Sequence, residues 1–333
     1  MKFTTQKITI VGGSGFVGTN LCRQLHLHGQ NFEILDLKMS HSFPEKCKIA
    51  DVRDINSLRE GITGDIVVNL AAVHRDDVSD ISDYRQTNVI GAENIAQICT
   101  LKDIKKIIFT STVAVYGFID TPADENHQIK PFNEYGRTKF EAEKKLRNWQ
   151  NEDRENSLII IRPTVIFGEG NRGNVFNLLN QIVSGRFIMI GAGRNKKSMA
   201  YVGNVAAFLQ TCINTNLKSA LFNYVDTPDL TMNELVSYAR KRLLGKEGTG
   251  VKLPYFVGMF IGYFADMTSI LIGRKLPISS IRVKKFTADT QFTSAKEQID
   301  GFVSPFTLIE GIDRTLESEY LQPDPEREIF YTE

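Results

Sequence analysis

The chain has 333 residues, 42% hydrophobic and 24% charged, enough for a full α/β core with a smaller appended region. A net charge of +1 provides no broad basic field, so no nucleic-acid partner is expected. The four cysteines, Cys22, Cys47, Cys99 and Cys212, show neither metal-ligand nor disulfide spacing, which argues against a metal site and fits a reducing cytoplasm.

The N-terminus runs almost at once into Ile8-Thr9-Ile10-Val11, without the apolar stretch and cleavage site of a secretory signal. Up to about residue 170, short β-branched runs alternate with helical stretches. Strands are predicted at 7–11, 32–37, 46–49, 65–70, 105–109 and 158–162, with helices at 15–28 and 82–100 between them. That alternation predicts an α/β fold, a doubly wound parallel sheet of the Rossmann type. Beyond Gly168 the pattern loosens to a helix at 174–184, strands at 187–190 and 222–225, and a helix at 232–244. Residues 1–168 are therefore expected to form the sheet domain. Residues 169–333 would form a smaller substrate-binding region, interleaved with the first and closing over its carboxyl edge.

Residues 253–272 read LPYFVGMFIGYFADMTSILI, with Asp266 as their one charge, and Arg274, Lys275, Arg282, Lys284 and Lys285 follow. The stretch is near the minimum for a bilayer span, but Pro254, Asp266, two glycines, Thr268 and Ser269 make it a poor one. An element lying in the membrane interface, with its basic flank toward anionic lipid, fits better. A buried core helix or a dimer-interface helix is the alternative.

The first strand ends in Gly12-Gly13-Ser14-Gly15-Phe16-Val17-Gly18 and opens a helix. Glycines at 12, 15 and 18 permit a tight turn, close approach to a pyrophosphate and close helix–sheet packing; the helix N-terminus supplies N–H donors. A glycine trio alone is weak, but a strand before it, a helix after it and Asp36 at the end of the second strand make a dinucleotide-binding fingerprint. A carboxylate at Asp36 accepts from ribose hydroxyls and repels a 2′-phosphate, favouring NAD over NADP, although Lys38 lies close by.

Tyr135 and Lys139 are four apart at the start of a helix running through Trp149, so their side chains share one face. An adjacent ammonium is expected to lower the tyrosine pKa toward the working pH and make it a base for a sugar hydroxyl as hydride leaves the same carbon. Ser111 and Thr112 end the preceding strand, so three hydroxyl-bearing positions are expected to converge at the sheet's carboxyl edge.

With these motifs in this order, along almost its whole length, the chain resembles the extended short-chain dehydrogenase/reductase enzymes, and among them the nucleotide-sugar 4-epimerases. Asp51-Val52-Arg53-Asp54, Asn69-Leu70-Ala71-Ala72, Tyr84-Arg85-Gln86-Thr87-Asn88-Val89 and Ser111-Thr112-Val113-Ala114-Val115-Tyr116-Gly117 match that family's pattern. The resemblance implies catalysis by Thr112, Tyr135 and Lys139, with Ser111 beside them. It implies NAD held by Gly12, Gly15, Phe16, Val17, Gly18, Asp36, Asp51, Val52, Leu70, Ala71, Ala72, Asn88, Thr110, Tyr135, Lys139 and Pro163. His74-Arg75-Asp76-Asp77-Val78-Ser79, Arg162-Pro163-Thr164, Asn171-Arg172-Gly173-Asn174-Val175, Lys197-Ser198-Met199-Ala200-Tyr201 and Ser280-Ile281-Arg282-Val283-Lys284-Lys285-Phe286 are similar to a narrower group. These are the 4-epimerases of N-acetylglucosaminyl-diphospho-undecaprenol, which serve O-antigen and other surface-polysaccharide synthesis. That resemblance implies a lipid-linked sugar substrate, contacts from His74, Arg75, Thr112, Asn174 and Lys197, and a place on the cytoplasmic side of the inner membrane. It leaves a homodimer open.

Several other readings share the fold. Sugar dehydratases carry Asp and Glu after the catalytic Thr, where this chain has Val113 and Ala114, which can neither give nor take a proton. Decarboxylating relatives fall for the same reason. A membrane-associated 3β-hydroxysteroid-type dehydrogenase and a soluble UDP-sugar 4-epimerase stay as rivals. A dinucleotide-sensing regulator without chemistry is disfavoured, since Thr112, Tyr135 and Lys139 are all present.

Overall fold

All four residues of β1 (Ile8–Val11) are buried, as a strand covered on both faces requires. The structure, a computed structural model, describes residues 3–332 apart from 75–79, 121, 273–275, 277–278, 297–298 and 300. After β1 come α1 (Phe16–Leu27), β2 (Phe32–Asp36), β3 (Cys47–Ile49), α2 (Ile55–Gly61), β4 (Ile66–Asn69), α3 (Ser82–Tyr84), α4 (Gly91–Leu101), β5 (Lys106–Thr110), α5 (Glu134–Glu152) and β6 (Ser157–Pro163). A π-helical turn, Arg85–Ile90, makes α3 and α4 one continuous run. The second half adds β7 (Val165–Phe167), α6 (Asn174–Val183), β8 (Met189–Ile190), β9 (Lys196–Lys197), β10 (Met199–Tyr201), α7 (Val202–Asn214) and β11 (Ser219–Tyr224). It ends with β12 (Leu230–Thr231), α8 (Met232–Leu244), β13 (Lys252–Leu253), α9 (Tyr255–Ile272), α10 (Ser280–Thr287) and α11 (Leu308–Leu316).

The main sheet is parallel, in the order β3-β2-β1-β4-β5-β6-β11. Its order reverses between β1 and β4, which opens a crevice at the carboxyl ends of those strands. On one face α1 packs with α7 through Leu21, Leu25, Val205, Phe208 and Leu209; on the other, α2, α4 and α5 bury Leu58, Ile95, Ile98, Leu146 and Trp149. Both α7 and β11 lie beyond residue 168, so the second half completes the first layer before it builds its own core around Phe187, Met199, Leu235 and Ile312.

Some elements differ from the sequence pattern. The predicted strand at 46–49 starts at Cys47, because Pro44–Lys46 closes a 3₁₀ turn. The strand at 187–190 shortens to Met189–Ile190. The expected interruption of the apolar segment does not occur. Pro254 precedes α9, and Gly258 and Gly262 allow close packing rather than breaking the helix: a Cβ would stand 2.5 Å from the Ile190 side chain at the first and 2.8 Å from the Ser280 backbone at the second. Nor is the helix a core helix. Phe256 and Phe260 are each 73% exposed and Ile270 82%, so α9 turns most of its apolar surface outward. By length and composition it could cross a membrane.

Candidate active site

The glycine loop leaves the end of β1 and enters α1. Gly12 has φ +82°, and a Cβ there would meet the Ala71 backbone nitrogen at 2.7 Å, so the loop is pressed against Leu70 and Ala71 after β4. A Cβ on Gly18 would stand 2.5 Å from both the Gly12 oxygen and the Gly13 Cα. Gly15 is the N-cap of α1 and supplies no side-chain cap, which leaves first-turn N–H groups facing the crevice. Phe16 is buried against Phe330, with ring centroids 5.6 Å apart, and Val17 packs between two cores; both offer backbone, not side chain, to a ligand.

Asp36 ends β2 beside this loop. Its carboxylate accepts from the Ser14 nitrogen at 2.9 Å and the Lys38 nitrogen at 3.2 Å, and burial pushes its pKa up against those bonds. Asp51 is turned to Arg53, whose Nη2 lies at 2.7 Å, while Val52 packs under Gly91, where a Cβ would stand 2.7 Å from the Val52 side chain. Thr110 ends β5 with a buried hydroxyl that has no hydrogen-bond partner among the described residues. Pro163 ends β6. An uncapped helix start, a loop with no room for side chains, an acid at the next strand's tip and an orphaned hydroxyl together fit a bound dinucleotide.

Asn88 also has a structural task. Its Oδ1 accepts from the Val73 nitrogen at 2.9 Å, and its Nδ2 donates to the Val73 oxygen and the Thr138 hydroxyl, each at 3.0 Å. It ties the loop after β4 to α5.

Asn133 caps α5 by accepting from the Gly136 nitrogen at 2.9 Å, which fixes the first turn carrying Tyr135. The Thr112 hydroxyl hydrogen-bonds to the Tyr135 phenol, and its oxygen accepts from the Ala114 nitrogen at 3.1 Å. Lys139, 1% exposed, lies one turn along with Nζ 4.2 Å from the Phe109 ring centre. The expected lowering of the tyrosine pKa is not found in the protein alone. Burial pushes Tyr135 up to about 12, partly offset by the Thr112 bond, and burial pulls Lys139 down to about 7, opposed by Glu143. Desolvation outweighs pairing here, because both groups lose water and each is more easily kept neutral.

Ser111 meets the same face of α5 one turn beyond Lys139. Its hydroxyl donates to Glu143 at 2.6 Å. Glu143 holds Arg162 through two bonds, at 2.8 and 2.5 Å; Arg162 donates to the Tyr116 hydroxyl at 2.8 Å, and that hydroxyl donates to Asn223 at 2.8 Å. This buried network joins β5, α5, β6 and β11 directly beneath Lys139, and sequence reasoning missed it. Its signal was present: Tyr135, Lys139 and Glu143 repeat every four residues on one helical face.

His74 stands with its ring 6.3 Å from that of Tyr135, at the pocket side of α5. Arg75 lies outside the described residues. Asn174 opens α6. Lys197 is not free to serve a ligand with its whole ammonium: Nζ donates to the Lys285 carbonyl at the end of α10, 2.7 Å away, and burial lowers its pKa to about 8.

Residues 8–223 match the sequence profile of the NAD dependent epimerase/dehydratase family. The chain belongs to that family. Among curated relatives of this family, it is 48% identical to an N-acetyl-α-D-glucosaminyl-diphospho-ditrans,octacis-undecaprenol 4-epimerase of Escherichia coli O157:H7, over 98% of this chain and 99% of the relative. A UDP-glucose 4-epimerase of Vibrio cholerae is 27% identical over 94% of this chain and 95% of its own. In fold, the chain resembles MoeE5 in complex with UDP-glucose and NAD, with a TM-score of 0.71 and 20% identity over 93% of this chain and 97% of that one. A UDP-N-acetylglucosamine 4-epimerase from Bacillus cereus superposes with a TM-score of 0.72 at 18% identity, over 93% and 98% of the two chains.

Proposed function

We propose that the protein is an NAD-dependent isomerase that inverts C4 of N-acetylglucosaminyl-diphospho-undecaprenol to give the N-acetylgalactosaminyl product, in O-antigen synthesis. The observation that carries this reading is the 48% identity to an enzyme of that specificity across both whole chains. Identity at that level over nearly the full length of both chains exceeds what the shared fold alone requires of the UDP-glucose 4-epimerase of Vibrio cholerae, at 27%.

The glycine loop and Asp36 would hold the dinucleotide, which when bound would supply a reversible acceptor for the C4 hydride, so that the sugar is oxidised and re-reduced at one carbon with no net oxidant. Tyr135 takes the proton from the C4 hydroxyl and returns it after the 4-keto sugar has turned over. Thr112, already bonded to Tyr135, aligns the substrate hydroxyl with the phenol. Lys139 supports the phenolate, while Val113 and Ala114 give no group that could eliminate water. Residues 1–168 carry the dinucleotide, and the substrate lies between His74, Arg75 and Thr112 of that half and Asn174 and Lys197 of residues 169–333.

The exposed face of α9 is read as docking on the cytoplasmic surface of the inner membrane, with Arg282, Lys284 and Lys285 toward anionic headgroups at about 1 kcal/mol each. The polyprenyl tail then never leaves the bilayer, which would cost about 0.8 kcal/mol per CH₂. The reading is tested by incubating the enzyme in parallel with radiolabelled lipid-linked and UDP-linked N-acetylglucosamine and analysing the sugars after acid release. It predicts conversion of the lipid-linked sugar and sedimentation with membranes, and release of the Phe256→Ser/Phe260→Ser/Phe264→Ser variant with its NAD retained. A wholly soluble parent that prefers the UDP sugar would overturn it, and a parent that sediments alone as a dimer would assign α9 to a second copy.

A further inference from the structure

Beyond α11 a π-helical turn, Glu317–Leu321, leads into residues 322–326, which run exposed to solvent. The residues after them return to the molecule and join three loops from different parts of the chain. Phe330 sets its ring 5.6 Å from that of Phe16, the first residue of α1, directly after the glycine loop. Glu328 accepts from the Ser42 hydroxyl at 3.0 Å, in the stretch that follows Asp36 and β2. On the other side, the Phe330 nitrogen donates to the Gly170 carbonyl at 2.9 Å, and its carbonyl accepts from the Arg172 nitrogen at 2.8 Å. Thr332 donates to the Asn171 side chain at 3.3 Å, and the same oxygen accepts from the nitrogen of Gly173, the N-cap of α6.

These ties are close fits. Gly170 has φ +82°, and a Cβ there would stand 2.5 Å from the Glu328 carbonyl oxygen, so the segment lies flat on the loop before α6. From the α11 side Glu319 accepts from the Gly170 nitrogen at 2.6 Å and pairs with Arg172 at 2.7 Å. The loop that leads to Asn174 is therefore held on two sides by residues that come some 150 positions later. The cover over the segment is slight, however: Phe330 is half-buried and Tyr331 is exposed. A stretch held by one ring contact and a few hydrogen bonds opens locally at far lower cost than the core.

We propose that residues 328–332 are a clasp that ties the two halves together beside the dinucleotide site and gates the entry and release of NAD. Two of the tied points, Phe16 and Ser42, follow the glycine loop and Asp36, which flank the seat of the dinucleotide. The third opens α6 on the substrate side. Moving these loops apart is resisted by every tie while the segment is docked, and peeling the segment removes them together. The reaction gives such a clasp a use. Oxidation and re-reduction at one carbon need one dinucleotide to stay through both hydride transfers, and a gate slows its escape without tightening its contacts. The proposal uses the NAD site alone, and it stands whether the sugar is carried by a lipid or by UDP.

The test loads the enzyme with radiolabelled NAD, follows exchange against excess unlabelled NAD by rapid filtration, and times capture by the stripped enzyme in the same way. Glu328→Ala/Phe330→Ser should release and capture NAD at least ~10-fold faster, the factor that one lost apolar contact carries. Its Kd should stay near the parent's, because both rates rise together. Ser42→Ala/Thr332→Ala leaves the apolar packing whole and should raise both rates about 3-fold, as the loss of modest hydrogen bonds allows. Release at the parent's rate in these variants overturns the clasp. Faster release with unchanged capture, and so a weaker Kd, makes the segment a support of the site and overturns the gate.

Discussion

Replacing Lys139 with methionine should stabilise the protein at neutral and acid pH while removing its activity. The ammonium is 1% exposed, and burial lowers its pKa to about 7 from the ordinary 10.5. The unfolded chain keeps its proton up to 10.5, so between pH 7 and 10.5 the unfolded state binds more protons than the folded one. Stability therefore rises with pH in that window, by about 1.4 kcal/mol per unit. Below pH 7 both states are protonated, and the whole cost of burying the charge, roughly 4–5 kcal/mol, is present and flat. Methionine keeps an apolar stem of similar length without that cost, and Glu143 retains Arg162 as its partner. The advantage of the variant should thus be constant well below pH 7 and shrink by about 2 kcal/mol between pH 7 and 9. Lys106 and Lys197, both lowered to about 8 by burial, titrate in the same range but are common to both proteins and cancel. Tyr135, raised to about 12, contributes outside the window. Urea unfolding at pH 6, 7, 8 and 9, on both proteins stripped of dinucleotide and followed by the single, buried Trp149, measures the difference. Parallel stability curves from pH 7 to 9 would refute the argument.

Tyr135→Phe should leave bound NAD unchanged and cut turnover at least ~100-fold, and a near-normal rate would remove Tyr135 from its role as base. Gly18→Val should lower NAD affinity at least ~10-fold, since even a Cβ meets the Gly12 oxygen at 2.5 Å; dinucleotide released on denaturation measures it, and full occupancy would show that the loop can yield. Arg162→Met takes the guanidinium from the Glu143 carboxylate, which has no exposed surface and keeps only the Ser111 hydroxyl and the charge of Lys139, and should cost about 3–5 kcal/mol in urea. The Glu143→Leu/Arg162→Met double variant should recover most of that loss, and a single variant within about 1 kcal/mol of the parent would discount the network.

The dinucleotide half was legible because its signals are local. A glycine at each of positions 12, 15 and 18, an acid at 36 and a four-residue step from Tyr135 to Lys139 each follow from the geometry of one turn or one helix. Even the parallel sheet follows from short buried runs separated by helices. The seventh strand and α7 were less visible as parts of that sheet, since pairing β11 with β6 joins segments some 60 residues apart and no local pattern encodes it. Burial was also beyond the sequence. A four-residue spacing brings an ammonium beside a phenol, but the surrounding core decides whether pairing or desolvation sets their proton affinities, and here desolvation prevails. Ser111 adjoins Thr112 in the chain and meets the same helix, but its hydroxyl is taken by Glu143, two turns beyond Tyr135, a long-range partner that no local spacing from Ser111 announces. The apolar character of residues 255–272 was plain from composition, whereas their exposure depended on what the rest of the chain left uncovered. Composition fixes how much surface a segment would hide from water, and only the tertiary packing decides whether the protein itself supplies the cover.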